Sequence, residues 1–153
     1  GEWSRASATV EEGHRGMTAT ILTGFRVLVV EDEWFIADDL AWHLETAGAI
    51  VLGPVPSVRE ALNILNTPDQ LPDVASLDFN LLAGDTSIRI AEELDRLYIP
   101  FVFATGTPEL IPVLYQMRPV CPKPVVSAAW LQALAEAMTI RPVGERAPHL
   151  APK

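Results

Sequence analysis

The sequence predicts a doubly wound α/β fold, a five-stranded parallel sheet with helices on both faces. Two observations carry that prediction. Five short apolar, β-branched runs are spaced along the chain: RVLVV (26–30), IVLGPV (50–55), VASLD (74–78), PFVFAT (100–105) and PVC (119–121). Runs of this length, bounded by turn residues, are what strands buried on both faces look like. Between them lie stretches whose apolar residues recur every three or four positions, and regular alternation of the two textures favours a parallel sheet over an antiparallel one.

Taken in order, residues 1–24 mix small, polar and charged types without a sustained period and read as a flexible tail or a leftover of expression. The folded domain is expected over 25–140. After the first strand, Ala37, Leu40, Leu44 and Ala47 fall on one helical face. Ser57-Val-Arg-Glu60 has the spacing of a capping box, with Val58, Ala61, Leu62 and Leu65 as the stripe behind it. Ile90, Ala91, Leu94, Leu97 and Tyr98 mark a third helix, and Trp130, Leu131, Leu134, Ala137 and Met138 a last one. The stretch between the fourth and fifth strands, TPELIPVLYQM, is different. Pro108 suits a first turn, but Pro112 inside a helix removes a hydrogen bond and clashes, at roughly 3 kcal/mol. A short or irregular segment is expected there. Residues 141–153 are proline-rich and unpatterned, a second flexible tail.

Composition narrows the class. A chain of 153 residues suits one domain with a proper core. Twenty Asp and Glu against eleven Lys and Arg leave a net charge of −9, a field that repels nucleic-acid phosphates and anionic lipid headgroups. Neither nucleic acid nor membrane is expected as a partner. No apolar run is long enough to span a bilayer, and the N-terminal residues lack the pattern of a signal peptide. The single cysteine, Cys121, has no internal partner for a disulfide, so a reducing, cytoplasmic location is expected.

Doubly wound sheets bind their ligands at the carboxyl ends of the strands. Here the first strand runs into Glu31-Asp32-Glu33 and the third ends at Asp78. Neighbouring strands would bring Glu31, Asp32 and Asp78 together, where each carboxylate pair about 4 Å apart repels by about 4 kcal/mol at an effective dielectric near 20. Raised pKa values or a bound cation would relieve this, and a few carboxylates with room for water suit Mg²⁺. Glu33 reads instead as a complement to the dipole of the helix it precedes. The fourth strand ends in Thr105-Gly106, and the fifth leads to Lys123, the only lysine besides Lys153. Acids, a hydroxyl and a point-like ammonium are the parts that phosphoryl transfer to a carboxylate requires. Asp78 is the candidate nucleophile, Thr105 and Lys123 would hold phosphoryl oxygens, and the product would be an acyl phosphate.

With these stretches in this order, VLVVEDE (27–33), GPVPSVREAL (53–62), DVASLDFNL (73–81), PFVFATG (100–106) and PKP (122–124), the chain closely resembles the response-regulator receiver family. The resemblance implies a CheY-like, flavodoxin-like fold with strand order 2-1-3-4-5. It also implies phosphorylation of Asp78 by a histidine kinase, with Mg²⁺ bound by Glu31 or Asp32, Asp78 and the carbonyl of Asn80. PFVFATG looks like the stand-alone subgroup named for its Phe-Ala-Thr-Gly motif, which often works with kinases of the HWE type. Such a module is a phosphoacceptor that slowly loses its own phosphoryl group, and is not principally an enzyme. Whether it forms a homodimer stays open. The chain also departs from the family pattern. Val120 stands three before the lysine, where an aromatic usually swings inward, and Leu82 stands where many receivers have proline. Reshaping of the proline-bearing fourth segment is the expected substitute for the ring movement.

Two other function classes compete. A degenerate receiver would bind a partner protein without phosphorylation, a reading that Val120 favours. A phosphatase of the haloacid dehalogenase kind also uses an aspartyl nucleophile, but wants a second acid two residues later, and that position is Asn80. Trp34 and Trp42 lie eight apart beside the core stripe of the first helix and are candidates for contact with a partner.

Overall fold

The computed structural model describes residues 22–139. The tails expected at 1–24 and 141–153 lie outside the described residues, except for residues 22–24. Those three belong to the fold: Leu22 is fully buried, and the amide of Gly24 donates to the carbonyl of Gly48 at 2.8 Å. The sheet therefore has a cover residue upstream of the expected boundary at 25.

Five strands, β1 (Arg26–Val30), β2 (Ile50–Val55), β3 (Val74–Leu77), β4 (Phe101–Thr105) and β5 (Val120–Pro122), form one sheet in the order β2-β1-β3-β4-β5. Every adjacent pair is parallel. Four helices complete the described fold: α1 (Trp34–Thr46), α2 (Val58–Leu65), α3 (Ile88–Arg96) and α4 (Ser127–Thr139). This is the flavodoxin-like arrangement expected from the sequence. No helix among the described residues is long and apolar enough to cross a membrane.

Side chains alternate across the sheet, as the pleat requires. Leu28, Val30, Ala75, Leu77, Phe101 and Phe103 face α2 and α3, while Val27, Val29, Val74, Val102 and Ala104 face α1 and α4. Both faces are apolar because both are covered. On the second face Trp130 is fully buried, and its indole N–H donates to Ser76 Oγ at 2.9 Å. A buried donor left without that partner would cost about 1–3 kcal/mol. The expected cap of α2 is present, with the amide of Glu60 donating to Ser57 Oγ at 3.2 Å and the Ser57 hydroxyl donating to Glu60 Oε2 at 2.8 Å. The β1–β2 register shifts between Leu28 and Val30, where Gly53 has a φ of +89° and a Cβ would meet the amide nitrogen of Val55 at 2.7 Å. Only glycine fits that bulge.

Two local expectations need correction or refinement. Tyr98 does not continue the buried stripe of α3, because the helix ends at Arg96 and Tyr98 turns the chain at a φ of 57° with its ring exposed. The segment between β4 and β5 is irregular, as its prolines demand, and consists of two three-residue 3₁₀ turns, Pro108–Leu110 and Val113–Tyr115.

Candidate phosphoacceptor site

The parallel ladder extends one residue past three strand ends. The amide of Glu31 donates to Val55 O at 3.0 Å, that of Asp78 to Val30 O at 2.9 Å, and that of Lys123 to Thr105 O at 3.0 Å. Residues at the strand ends are thus held by backbone bonds to neighbouring strands, which fixes where their side chains emerge. The consequence is convergence: Glu31, Asp32 and Asp78 each offer a carboxylate oxygen within 4.8 Å of the others. Lys123 Nζ lies 2.8 Å from Glu31 Oε1, 3.0 Å from Asp78 Oδ2 and 3.3 Å from Glu33 Oε2.

Glu31 and Asp78 are only 3% and 6% exposed. Burial penalises their charged forms and pushes Glu31 up to about 7, against the opposing pull of Lys123, with the Asp78 charge adding to the rise. Asp78 is also raised, by burial first, with the Lys123 ammonium again opposing. Burial works to lower the Lys123 pKa, yet its ion pairs with Glu31 and Asp78 outweigh burial and hold it firmly protonated. One ammonium among four acids leaves the cluster short of positive charge. Glu31 Oε1 has that ionic neighbour but no well-directed hydrogen bond, so a buried oxygen lone pair is left under-used. Hard oxygen donors, surplus negative charge and an unsatisfied carboxylate oxygen together fit a small divalent cation such as Mg²⁺.

Thr105 is buried at the end of β4, and its Oγ1 accepts from the amide of Thr107 at 3.1 Å. The hydroxyls of Thr105 and Thr107 are 3.2 Å apart, and Asn80 Nδ2 donates to Thr107 Oγ1 at 2.7 Å. Sequence reasoning missed two of these participants. Glu33 reads from the sequence as a dipole complement, and it does occupy the N-cap position of α1, but without a side-chain cap bond, and its carboxylate reaches Lys123. Its amide donates to Glu31 Oε2 at 3.1 Å, so the loop also orients the buried acid. Thr107 carried no sequence signal beyond a hydroxyl near the strand end. Asn80 was singled out for its carbonyl, and the structure adds the role of its side chain. Val120 is half-buried and packs against the α2–α3 core, well short of the reach of an aromatic ring. Cys121 is buried and free, with its thiol pKa raised by burial. Trp34 and Trp42 are exposed on α1.

No family model matches the chain. Among solved structures it is similar to SdrG from Sphingomonas melonis Fr1, at 38% identity and a TM-score of 0.65 over 78% of this chain and 98% of that one. The REC domain of the response regulator PhyR from Erythrobacter litoralis is similar in fold, at 21% identity and a TM-score of 0.66 over 81% of this chain and 97% of that one. A curated relative, the phyllosphere-induced regulator PhyR of Methylorubrum extorquens AM1, is 29% identical over 107 residues, 69% of this chain and 39% of that protein. The chain thus spans about two fifths of the length of that relative.

Proposed function

The chain belongs to the response-regulator receiver family, and from that premise we propose that it is a phosphorylation-dependent signalling module whose Asp78 accepts a phosphoryl group from a phosphohistidine of a histidine kinase. The observation that carries the reading is the convergence of the Glu31, Asp32 and Asp78 carboxylates from two strand ends, with the Lys123 ammonium in contact with Glu31 and Asp78. In the transfer, a carboxylate oxygen of Asp78 forms a bond to phosphorus as the P–N bond of the donor breaks, and the imidazole leaves with the electron pair. Lys123 Nζ, already 3.0 Å from Asp78 Oδ2, would stabilise both the ionised nucleophile and the phosphoryl oxygens it receives. Thr105 would offer its hydroxyl to a further oxygen. Glu31, Asp32, Asp78 and the carbonyl of Asn80 would hold Mg²⁺, whose charge offsets the carboxylates and the incoming phosphoryl group. The resulting acyl phosphate would hydrolyse slowly, so the protein acts as a carrier of signal and not as an enzyme with turnover on an outside substrate.

Incubation with acetyl phosphate and Mg²⁺, followed by intact-mass analysis, tests this. The expected result is the mass gain of one phosphoryl group, abolished by EDTA and by Asp78→Asn. Wild-type protein that gains nothing, or a gain retained by Asp78→Asn, would overturn it; binding to a partner in the first of those cases would favour the degenerate receiver, for which Val120 speaks.

A further inference from the structure

We propose that Met117 is a redox modification site, a thioether that peroxides convert to the sulfoxide on the folded protein, turning part of the apolar surface between β4 and β5 polar. The inference is independent of the reading of Asp78 and concerns a second covalent input to the same domain. Met117 is 94% exposed, more than any other large apolar side chain among the described residues. Val113 and Leu114, in the 3₁₀ turn just before it, are also exposed, as is Leu110, so the sulfur belongs to a run of apolar surface. This exposure does not come from a loose backbone, because the residues on either side are held. Gln116 Nε2 donates to Ile111 O at 3.3 Å, and the Arg118 amide donates to Tyr115 O at 3.0 Å. The Arg118 guanidinium pairs with Asp95 and lies over the Phe101 ring. The segment thus presents the thioether to solvent from a fixed support, and a side chain that buries so little can change its chemistry at little cost to the fold.

The other sulfur atoms among the described residues supply the contrast. Met138 is 7% exposed and belongs to the core that α4 covers, with Trp130 and Leu134. An oxidant has to reach the sulfur, so folding shields Met138 and leaves Met117 open. Cys121 is buried, and burial raises its thiol pKa, which keeps the reactive thiolate scarce. Of these three sulfur atoms, the native fold offers one to a soluble oxidant.

In the reaction a lone pair of the Met117 sulfur attacks the terminal oxygen of a peroxide. The S–O bond forms as the O–O bond breaks, and the proton of the transferred oxygen passes to the oxygen that leaves. Sulfur is oxidised by two electrons, and the peroxide is reduced to water or, for an organic peroxide, to water's alcohol counterpart. Two thiols reverse the change, leaving as a disulfide while the sulfoxide oxygen departs as water. The product places a polar hydrogen-bond acceptor where an apolar thioether stood, beside Val113 and Leu114, which stay as they are.

The test treats the full chain with hydrogen peroxide and locates each sulfoxide over time by peptide fragmentation mass spectrometry. Met117 should oxidise about tenfold faster than Met138 in the native protein, in line with their exposures, and the two rates should converge in urea. Hydrophobic-interaction chromatography reads the surface: oxidised wild type should elute ahead of untreated protein, Met117→Gln should elute early without oxidant, and Met117→Leu should hardly move after the same brief treatment. The thermal transition of the oxidised wild type should match that of the untreated protein. Equal native rates at Met117 and Met138 would overturn the site. An oxidised wild type that elutes with untreated protein, or one whose thermal transition falls while that of treated Met117→Leu does not, would overturn the surface change. Asp78→Asn should oxidise at Met117 as the wild type does, so a failure of phosphoryl transfer leaves this inference standing.

Discussion

The first three crossovers of the sheet each carry an α-helix of 8 to 13 residues, whereas the fourth, from Gly106 to Pro119, carries two turns of three residues. The helical crossovers bury a stripe. α1 buries Ala37, Leu40, Ala41 and Leu44, and α3 buries Ile90, Ala91 and Leu94. The fourth crossover buries only Ile111 and Tyr115, and leaves Val113, Leu114 and Met117 at 81%, 79% and 94% exposure. Yet β4 beneath it is buried along its whole length. One ring does the work of a helical stripe: Tyr115 packs edge-on against Phe101 and Phe103, at centroid distances of 6.0 and 6.3 Å. Phe103 continues this cluster to Phe79, the neighbour of Asp78. A parallel sheet therefore needs its face covered but does not need a helix to cover it.

The sharpest way to break this comparison is to remove the ring. Tyr115→Ala should destabilise the fold by about 3 kcal/mol, the usual cost of deleting a buried aromatic, and should match Leu94→Ala on the helical crossover, for which about 2–5 kcal/mol is expected. Urea unfolding followed by far-UV circular dichroism measures both. A cost below about 1 kcal/mol for Tyr115→Ala alone would show that the fourth crossover rests on the sheet without anchoring it.

How much of this was legible in the sequence differs between fold and site, for a physical reason. Strands and helices announce themselves through local signals, so all five strands and the irregular fourth crossover could be read from Val, Ile, Leu and Pro positions, and the cap of α2 from the spacing of Ser57 and Glu60. The gathering of Glu31, Asp32, Asp78 and Lys123 was legible because parallel topology puts strand ends side by side. Links that depend on rotamer and loop path were not. Glu33 and Lys123 are 90 positions apart, and an acid before a helix looks the same whether it serves the dipole or an ammonium. Asn80 and Thr107 meet across two loops whose shapes no short pattern specifies. Tyr98 misled because it continues the spacing of α3 while the backbone turns left-handed.

A smaller effect is expected from the second fastening of the fourth crossover. Arg118 pairs with Asp95 at the end of α3, and its guanidinium carbon sits 4.5 Å from the centre of the Phe101 ring. Both partners of the ion pair are about one third exposed, so solvent screens it, and with the cation–π contact Arg118→Ala should cost about 1 kcal/mol at neutral pH. Burial raises the Asp95 pKa, with Arg118 opposing, so the variant keeps the burial penalty and loses the relief. That loss applies only while Asp95 is ionised. The stability gap between wild type and Arg118→Ala should therefore narrow as pH falls through the folded-state pKa of Asp95, which lies above its ordinary value. A gap of constant size across acidic pH would assign the whole effect to the ring contact.

The smallest change in stability, and the most direct question about why the fourth crossover differs, comes from Pro112→Ala. Ile111 and Tyr115 are four residues apart and both buried, which is the spacing of a helical face. Pro112 stands between them as the residue before the second turn, with Ile111 held extended at a φ of −66° and a ψ of 125°, as the residue preceding a proline prefers. An interior proline disfavours a helix by about 3 kcal/mol relative to alanine, enough to decide between a helix and two turns when the same two anchors serve either. Replacing it should leave overall stability within about 1 kcal/mol of wild type, since both anchors stay buried, while NMR Cα shifts of residues 109–117 move to helical values. Unchanged shifts would mean that the turns are set by the packing of Tyr115 and Arg118, and the proline merely tolerates them.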